Sequence, residues 1–522
     1  MSVNTNVSRQ RATLACNTCR SRRTKCDGRR PTCLFCEEHG MDCTYRNPSL
    51  PAASRQETEI TAIRERLDHI HGLLSLRAAQ SRLPGNSTEL QTAQLSEYPW
   101  DESIISRNWR REFPFMTIQT PSMMCLLGLD SRLAAQLVVL ERTDVATMIK
   151  PVATLDFVIE YHNAIDAFES FYNKVHYWYP LLPQDFFDMY QEIVVRDLEP
   201  STQTFLVLIV LAIGTVMQCP TIAEAYLLRP DSKYIGYALS MLPNVHFEFS
   251  LRSVQCLVLL SVYYKLVVKP CQAHDYILIA SCKAQALFKC HLYDDDNATM
   301  ELLRRCFWSI LLIESELAYH IDMPESNIWK FDDRILLPGT LESWQPFSTK
   351  QRNNTRELRS SHTLGMPPEA GKAYFLAVIT MCRMVRRCTT SVTISHDREV
   401  YAPIIAAELT LQLESWYDHL PWSIRFEREG TISQLSEELG KAPSPENCSP
   451  LTAATRFLRM QYFLCLTGIY WPAVYSVIYM DTLAGAPVAD CAQFFESYSR
   501  FVMSAVLSLS CCRQNTWSIY AR

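Results

Sequence analysis

The chain has 522 residues, more than a single hydrophobic core normally organises, so several folded units are expected. Hydrophobic residues make up 48% of the chain, and only 14 glycines and 27 prolines occur, which argues against a largely disordered protein. The net charge is −5, but residues 1–46 carry nine basic and four acidic side chains, so the remaining residues sum to −10. This asymmetry indicates that only the small basic N-terminal part meets a polyanion such as nucleic acid.

The sequence opens with a predicted flexible basic lead-in, residues 1–15, followed by a cysteine module over residues 16–43. The six cysteines of the module are separated by two, six, six, two and six residues. The polar residues 1–14 do not resemble a secretory signal, which favours a reducing compartment, where clustered cysteines hold metal more often than they form disulfides. The six residues are Cys16, Cys19, Cys26, Cys33, Cys36 and Cys43.

Six thiolates are the right number for two zinc ions. Zinc prefers four tetrahedral ligands, and four terminal thiolates with two bridging ones give each ion four sulfurs. The module consists of two near repeats, which begin at Cys16 and Cys33, so these two residues are the natural bridging ligands. We therefore predict two Zn²⁺ per chain. A segment this short cannot fold by burying apolar surface alone, and metal binding must supply on the order of 10 kcal/mol.

Each half of the module carries signals for a short helix. Thr18 is expected to cap a helix that runs to Lys25, and Thr32 is expected to cap a second helix that ends at Gly40. The second helix carries two glutamates near its start, whereas the first is basic. The first helix is therefore expected to face DNA, and its basic residues are Arg20, Arg22, Arg23 and Lys25.

The module resembles the DNA-binding domain of the fungal binuclear zinc-cluster transcription factors. All six cysteine spacings agree, as do the basic run after the second cysteine, the Cys26-Asp27-Gly28 step and Pro31 in the loop between the halves. The resemblance implies that Cys16 and Cys33 bridge the metals. It also implies that the first helix enters the major groove and binds a short G/C-rich half-site, typically a CGG triplet.

The same resemblance assigns roles to individual basic residues. Arg22 and Arg23 occupy the two base-contacting positions of the family, although the second of these is usually lysine. Guanidinium groups suit guanine because its O6 and N7 accept paired hydrogen bonds. The remaining basic residues are expected to contact phosphates, namely Arg20, Lys25, Arg29 and Arg30.

A linker over residues 44–54 and a helix over residues 55–77 are predicted next. Five apolar residues in this helix alternate at steps of three and four, which is the spacing of a coiled-coil seam, although Gly72 interrupts it. We expect a parallel homodimer; an ordinary amphipathic surface helix and a monomer that binds one half-site are the alternatives. The seam residues are Ile60, Ile63, Leu67, Ile70 and Leu74.

The rest of the chain is predicted to be a disordered linker over residues 78–100 and a helical regulatory domain over residues 101–522. Strand patterns are nearly absent, and the longest apolar run, residues 205–217, is shorter than the ~20 residues that span a bilayer, so no membrane partner is expected. Apolar residues recur at helical spacing over residues 205–217, 253–268, 276–288 and 300–319.

This body also resembles, loosely and over about residues 155–335, the helical regulatory region of the same family. The resemblance rests on an aromatic-proline segment that contains Tyr179 and Pro180 and on a basic-aromatic helix that contains Arg305 and Trp308. These residues are expected to be structural. Glu314 lies on the apolar stripe of the same helix and is expected to pair with an arginine.

The predicted fold is mostly α, with a small N-terminal binuclear zinc-cluster module, a short coiled-coil helix and a large all-α regulatory domain. The predicted function is a nuclear transcription factor that binds double-stranded DNA and, with the transcription machinery, activates RNA polymerase II genes of one metabolic or biosynthetic pathway. A repressor and a metabolite-sensing regulator are the alternatives, since the sequence leaves a small-molecule effector open. No phosphate-binding glycine loop, GxSxG elbow or HExxH helix occurs, so no enzymatic activity is expected.

Overall fold

The structure is a computed structural model. It describes residues 15–45, 124–143, 159–347, 366–428, 449–480 and 487–514, apart from short gaps at 126–127, 131, 197, 322, 340–342, 389 and 396–397. The chain divides into two compact units, Met1–Pro99 and Trp100–Arg522. The lead-in up to residue 14, the linker from residue 46, the dimer helix over residues 55–77 with its five seam residues and the linker over residues 78–100 lie outside the described residues.

The described part of the first unit contains two short helices, α1 (Asn17–Ser21) and α2 (Leu34–Glu38). The second unit is built from helices α3 to α16 and one hairpin. In chain order the helices are α3 (Leu133–Thr143), α4 (Tyr161–Phe171), α5 (Phe186–Val195), α6 (Thr202–Gln218), α7 (Ile222–Leu228), α8 (Ser232–Ser240), α9 (Leu242–Phe247), α10 (Leu251–Leu266), α11 (Pro270–Lys289), α12 (Asn297–Ile321), α13 (Pro368–Arg387), α14 (Pro403–Asp418), α15 (Pro450–Met480) and α16 (Val488–Gln514). A π-helical turn, Tyr172–His176, continues α4, and a 3₁₀ turn spans Ile328–Phe331.

Helix α6 forms the centre of the second unit. It begins at the cap Ser201, whose hydroxyl accepts the N–H of Thr204 at 3.1 Å. Its residues are buried on nearly every side, which is the pattern of a helix inside a core rather than at a surface. Helices α4, α8 and α10 pack against it. A Cβ atom added at Gly214 would lie 1.9 Å from the carbonyl oxygen of Ala167, so the close approach of α4 requires glycine there.

Helices α10, α11 and α12 form the next layer. Ser250 caps α10 by accepting the N–H of Ser253 at 3.2 Å. Polar side chains inside this helix are buried but bonded: Gln255 donates to the carbonyl of Leu181 at 2.6 Å, and Ser261 donates to that of Ala273 at 2.7 Å. Because buried polar groups are costly unless they are paired, these bonds specify how α10 packs on its neighbours.

The segments that resemble the family's regulatory region meet in this core. Arg305 of α12 donates to the carbonyl oxygen of Pro180 at 3.0 Å, and Trp308 donates to that of Leu336 at 3.1 Å. Their role is therefore structural. Glu314 accepts the hydroxyl of Ser326 at 2.6 Å and also its N–H, so the expectation of an arginine partner is wrong. The donor to the Glu314 carboxylate comes from the loop after α12, and the helical periodicity of the sequence does not predict the position of that loop.

The C-terminal helices form a second layer in which α13, α14 and α16 pack against α15, while α13 also contacts α12. A two-stranded antiparallel hairpin, β1 (Val392–Ser395) and β2 (Arg398–Tyr401), lies against α15. The sequence pattern did not predict it because four-residue strands show too little alternation. The prediction of a mostly helical protein with a small cysteine module is confirmed. Among the described residues, no helix has the length and apolar character needed to cross a membrane.

Candidate metal centre and DNA-contacting surface

The six cysteines of the module lie together in one cluster. Cys16, Cys19, Cys33 and Cys36 are fully buried, and Cys26 and Cys43 pack against them half-buried. The sulfurs form two groups of four, each with all its atoms within 4.8 Å of one another. One group contains Cys19 and Cys26, the other contains Cys36 and Cys43, and both contain Cys16 and Cys33. The two groups therefore share two members, and these are the first cysteines of the two sequence halves.

The spacing of the sulfurs fits zinc. Thiolates bound to one zinc ion at ~2.3 Å in a tetrahedron are separated from each other by about 3.8 Å. The Sγ atom of Cys16 lies 3.7 Å from those of Cys33 and Cys36, and the Sγ atoms of Cys19 and Cys33 are 3.6 Å apart. Each distance matches one edge of such a tetrahedron. The donor set consists of sulfur alone, which selects zinc over hard cations such as Mg²⁺ and Ca²⁺.

The two halves of the module repeat one backbone arrangement in which the first cysteine is the N-cap of the helix. The Cys16 thiol accepts the N–H of Cys19 at 3.4 Å, and Cys33 occupies the corresponding position before α2. The predicted caps Thr18 and Thr32 are therefore wrong. Thr18 lies inside α1, and its hydroxyl donates to the carbonyl of Asp42 at 2.6 Å. The two cysteines that belong to both sulfur groups thus lie where the two helices begin.

Both helices also end in the same way. In α2, Gly40 has a φ of +59°, and the N–H of Met41 donates to the carbonyl of Cys36 at 2.9 Å, which is a Schellman motif. In α1 the equivalent left-handed position is Arg23, with a φ of +53°, and Thr24 donates to Cys19 at 3.0 Å. The first helix therefore ends at Ser21 and not at Lys25 as predicted.

The environment of the thiols favours their protonated form at three positions. Burial raises the pKa of Cys19 and Cys33, and it raises that of Cys36 to about 12. Burial acts in the same direction on Cys16, but the hydrogen bonds that it accepts from the Cys19 N–H and from neighbouring thiols outweigh it and lower its pKa to about 6. Zinc, which binds thiolates, must displace protons from this cluster.

Two residues to which the sequence assigned no contact organise the module. Asp27 belongs to the first half, but its carboxylate accepts the N–H of Leu34, the first residue of α2, at 3.0 Å. Tyr45 lies beyond the predicted end of the module and packs against the cysteine cluster. The Cys26-Asp27-Gly28 step marks Asp27 as unusual, but nothing in the sequence indicates a contact across the two halves.

The predicted DNA-contacting residues are all exposed. Arg20 lies on α1, Arg22 is its C-cap, Arg23 follows in the left-handed position, and Lys25 lies in the loop beyond. Arg29 and Arg30 lie in the loop between the halves, where Arg29 pairs with Asp27 at 3.4 Å. The chain thus places four cations within six residues at the end of α1 and two more on the inter-half loop, whereas the glutamates Glu37 and Glu38 lie on α2.

Two family profiles match this chain. The fungal Zn(2)-Cys(6) binuclear cluster domain matches residues 14–51, and the fungal-specific transcription factor domain matches residues 168–428. The first match contains all six cysteines, and the second covers half of the chain and includes α5 to α14. No solved structure matches the chain.

Curated relatives agree with these profiles. The chain is 36% identical to ecdB of Aspergillus rugulosus, which is named as a transcription factor, over 98% of this chain and 87% of that protein. The quinic acid utilization activator of Emericella nidulans is 30% identical over 21% of this chain and 15% of its own length. A maltose fermentation regulatory protein of Saccharomyces cerevisiae is 59% identical over 6% of this chain and 7% of its own length. The chain therefore belongs to the fungal Zn(2)-Cys(6) transcription factors, whose N-terminal module binds two zinc ions and DNA.

Proposed function

We propose that this protein is a nuclear, pathway-specific transcriptional activator that recognises CGG-like half-sites as a homodimer. One observation carries the proposal: a single small module holds two overlapping groups of four sulfurs and, beside them, a closely spaced set of exposed cations. The sulfurs give a short peptide a fixed shape, and the cations give that shape an affinity for a polyanion.

The six cysteines are the proposed ligands, with Cys16 and Cys33 bridging. The overlap of the two sulfur groups at these two residues supports this assignment, because a shared ligand must lie within reach of both metals. The bound zinc ions supply structure and electrostatic charge, and no chemical step is needed. Because Cys16 and Cys33 cap the two helices and would hold the metals, bound zinc would fix the start of both helices, and α1 would present its basic end in one orientation.

Arg22 and Arg23 are the proposed base-contacting residues. They lie where α1 ends, with both side chains exposed and without an ion-pair partner among the described residues, so their guanidinium groups are available to guanine. Arg20, Lys25, Arg29 and Arg30 are the proposed phosphate contacts. Phosphate contacts give affinity without sequence preference, and they make that affinity depend strongly on salt.

Dimerisation, nuclear action and activation are further parts of the proposal. The heptad spacing of Ile60, Ile63, Leu67, Ile70 and Leu74 supports a parallel coiled coil, which lets the two modules bind paired half-sites. One relative is named an activator of quinic acid utilization and another a regulator of maltose fermentation, which supports control of one metabolic pathway through the transcription machinery. Repression by the same module is the alternative.

Two cavities of the helical body bear on the metabolite-sensing alternative. A cavity lined by Tyr172, His176, Trp344 and Lys372 has a volume of about 40 Å³, which suits a few water molecules, whereas organic ligands occupy roughly 300 Å³ or more. A groove of about 470 Å³ between α13 and α14 is larger but lies open to solvent. Ligand pockets usually enclose most of their ligand.

The decisive experiment is selection of bound sequences from random duplex DNA by the full-length protein. Wild type should enrich a CGG-like half-site, and the spacing of paired half-sites should report the dimer. Arg23→Gly is a useful variant because glycine accepts the left-handed backbone, so the module stays folded while the base contact is lost. We expect it to relax base preference at one position, at a cost of about 1–3 kcal/mol.

Arg30→Ala is the matched control, and it should weaken all sequences alike. No enriched sequence with wild-type protein would refute the proposal, and so would an unchanged preference in the Arg23 variant. Activation is tested separately by fusing residues 100–522 to an unrelated DNA-binding domain upstream of a reporter gene. Increased reporter transcription supports an activator, and decreased transcription supports a repressor.

A further inference from the structure

We propose that Tyr45 is a positioning residue for DNA binding, which holds the backbone of Arg29 and the side chain of Arg30 in the geometry that contacts phosphate. The inference rests on the proposed role of these two arginines and extends it to a residue outside the cysteine-bounded module. Tyr45 follows the last cysteine, Cys43, by two residues and packs against the cysteine cluster, which fixes its position.

The hydroxyl of Tyr45 reaches the inter-half loop. It donates a hydrogen bond to the carbonyl oxygen of Arg29 at 2.8 Å, across sixteen residues of sequence. Its oxygen also lies 3.8 Å from the Sγ atom of Cys26, at the edge of the cluster. Because Tyr45 packs on the cysteine cluster, its hydrogen bond restricts the position of the Arg29 carbonyl. The peptide unit between Arg29 and Arg30 is thereby fixed relative to α1.

The ring of Tyr45 holds the next side chain. The guanidinium carbon of Arg30 lies 5.0 Å from the ring centroid, which is a cation–π contact. Stacking uses the face of a planar guanidinium and leaves its N–H donors free along the edge. Arg30 is otherwise exposed. It can therefore bind a phosphate through its edge while the ring restricts its rotamers, so less conformational freedom is lost on binding.

The neighbouring arginine is held by a different partner. Arg29 pairs with Asp27 at 3.4 Å, and Asp27 in turn accepts the N–H of Leu34 in α2. The loop between the halves is thus attached on one side to the start of α2 and on the other to Tyr45. Tyr45 therefore has a role that can be separated experimentally from that of Asp27, because Tyr45 orders the side chain of Arg30 whereas Asp27 orders that of Arg29.

The test measures DNA affinity of the full-length protein as a function of salt, with zinc content measured in parallel. The variants are Tyr45→Leu, Tyr45→Phe, Arg30→Ala and the double variant Tyr45→Leu/Arg30→Ala. Loss of one phosphate contact lowers the slope of log affinity against log salt by about 0.9. We expect Arg30→Ala and Tyr45→Leu to lower the slope by similar amounts and to weaken binding about 3- to 10-fold, with both zinc ions retained and base preference unchanged.

The double variant should bind no more weakly than Arg30→Ala alone, because Tyr45 acts through Arg30. Tyr45→Phe keeps the ring that stacks on Arg30 but loses the hydroxyl contacts to the Arg29 carbonyl and to Cys26, so its slope should lie between those of wild type and Tyr45→Leu. Additive losses in the double variant, an unchanged slope in Tyr45→Leu, or loss of zinc from that variant would each overturn the inference. An unchanged slope in Arg30→Ala would instead contradict the proposed phosphate contact itself.

Discussion

Replacing a shared cysteine should cost two zinc ions, whereas replacing an unshared one should cost one. Cys16 belongs to both groups of four sulfurs, so Cys16→Ser leaves three thiolates for each metal. Cys26 belongs to only one group, so Cys26→Ser leaves three thiolates for one metal and all four for the other. Structural zinc contributes on the order of 10 kcal/mol to the folding of a small domain, and this module has almost no apolar core to replace it.

The assay is zinc content per chain, measured by elemental analysis of purified full-length protein and by native mass spectrometry. Wild type should hold two zinc ions, Cys26→Ser and Cys43→Ser one, and Cys16→Ser and Cys33→Ser none, with matching loss of DNA binding in the last pair. The module and the helical body belong to separate compact units, so circular dichroism of the helical body serves as the control. Two bound zinc ions in the Cys16 variant, or none in the Cys26 variant, would refute the shared-ligand assignment.

Three further outcomes are expected. Gly214→Ala places a methyl group against the carbonyl oxygen of Ala167 and should destabilise the second unit by about 1–3 kcal/mol in denaturant unfolding. Gly371→Ala is the control and should not destabilise it, because the added methyl group would lie 3.6 Å from its nearest neighbour. Equal effects of the two variants would contradict the close packing of α4 on α6. Zinc affinity should fall as pH falls, because burial raises the pKa of Cys36 to about 12 and the metal-free cluster therefore binds protons that zinc must displace. Competition with a chelator between about pH 6 and 8 measures the affinity. A zinc affinity that does not change over this range would contradict the prediction. Lys283→Met should destabilise the protein by about 1–3 kcal/mol, because the ammonium group donates hydrogen bonds to three carbonyl oxygens at the end of α9. An unchanged melting temperature would show that these bonds do not contribute to stability.

The cysteine spacing allowed the most complete prediction, because zinc chemistry leaves few ways to share six thiolates between metals. The long apolar runs also predicted α6, α10, α11 and α12, since residues of helical period must be buried on one or more faces. Helix ends were less predictable. Thr18 and Thr32 are good capping residues by propensity, but the cap positions belong to Cys16 and Cys33, whose places follow from the cysteine cluster rather than from local preference.

Contacts across sequence-distant segments could not be predicted. The bond between Asp27 and Leu34, the stacking of Arg30 on Tyr45 and the partner of Glu314 all depend on how loops fold back onto helices. The chemistry of a side chain indicates which kind of partner it needs, for example a hydrogen-bond donor for a carboxylate, but many residues of the chain are of that kind. The structure selects one of them through the packing of the surrounding elements.

Asp27 makes the two repeats of the module dependent on each other in a way that metal sharing alone does not. A peptide that contains only the second repeat lacks both a thiolate from the first and the carboxylate that receives the leading amide of α2. An isolated repeat would therefore lose this hydrogen bond at the start of its helix even if an external thiol completed its coordination sphere. The two repeats together are the smallest unit that contains both groups of sulfurs and the bond between Asp27 and Leu34.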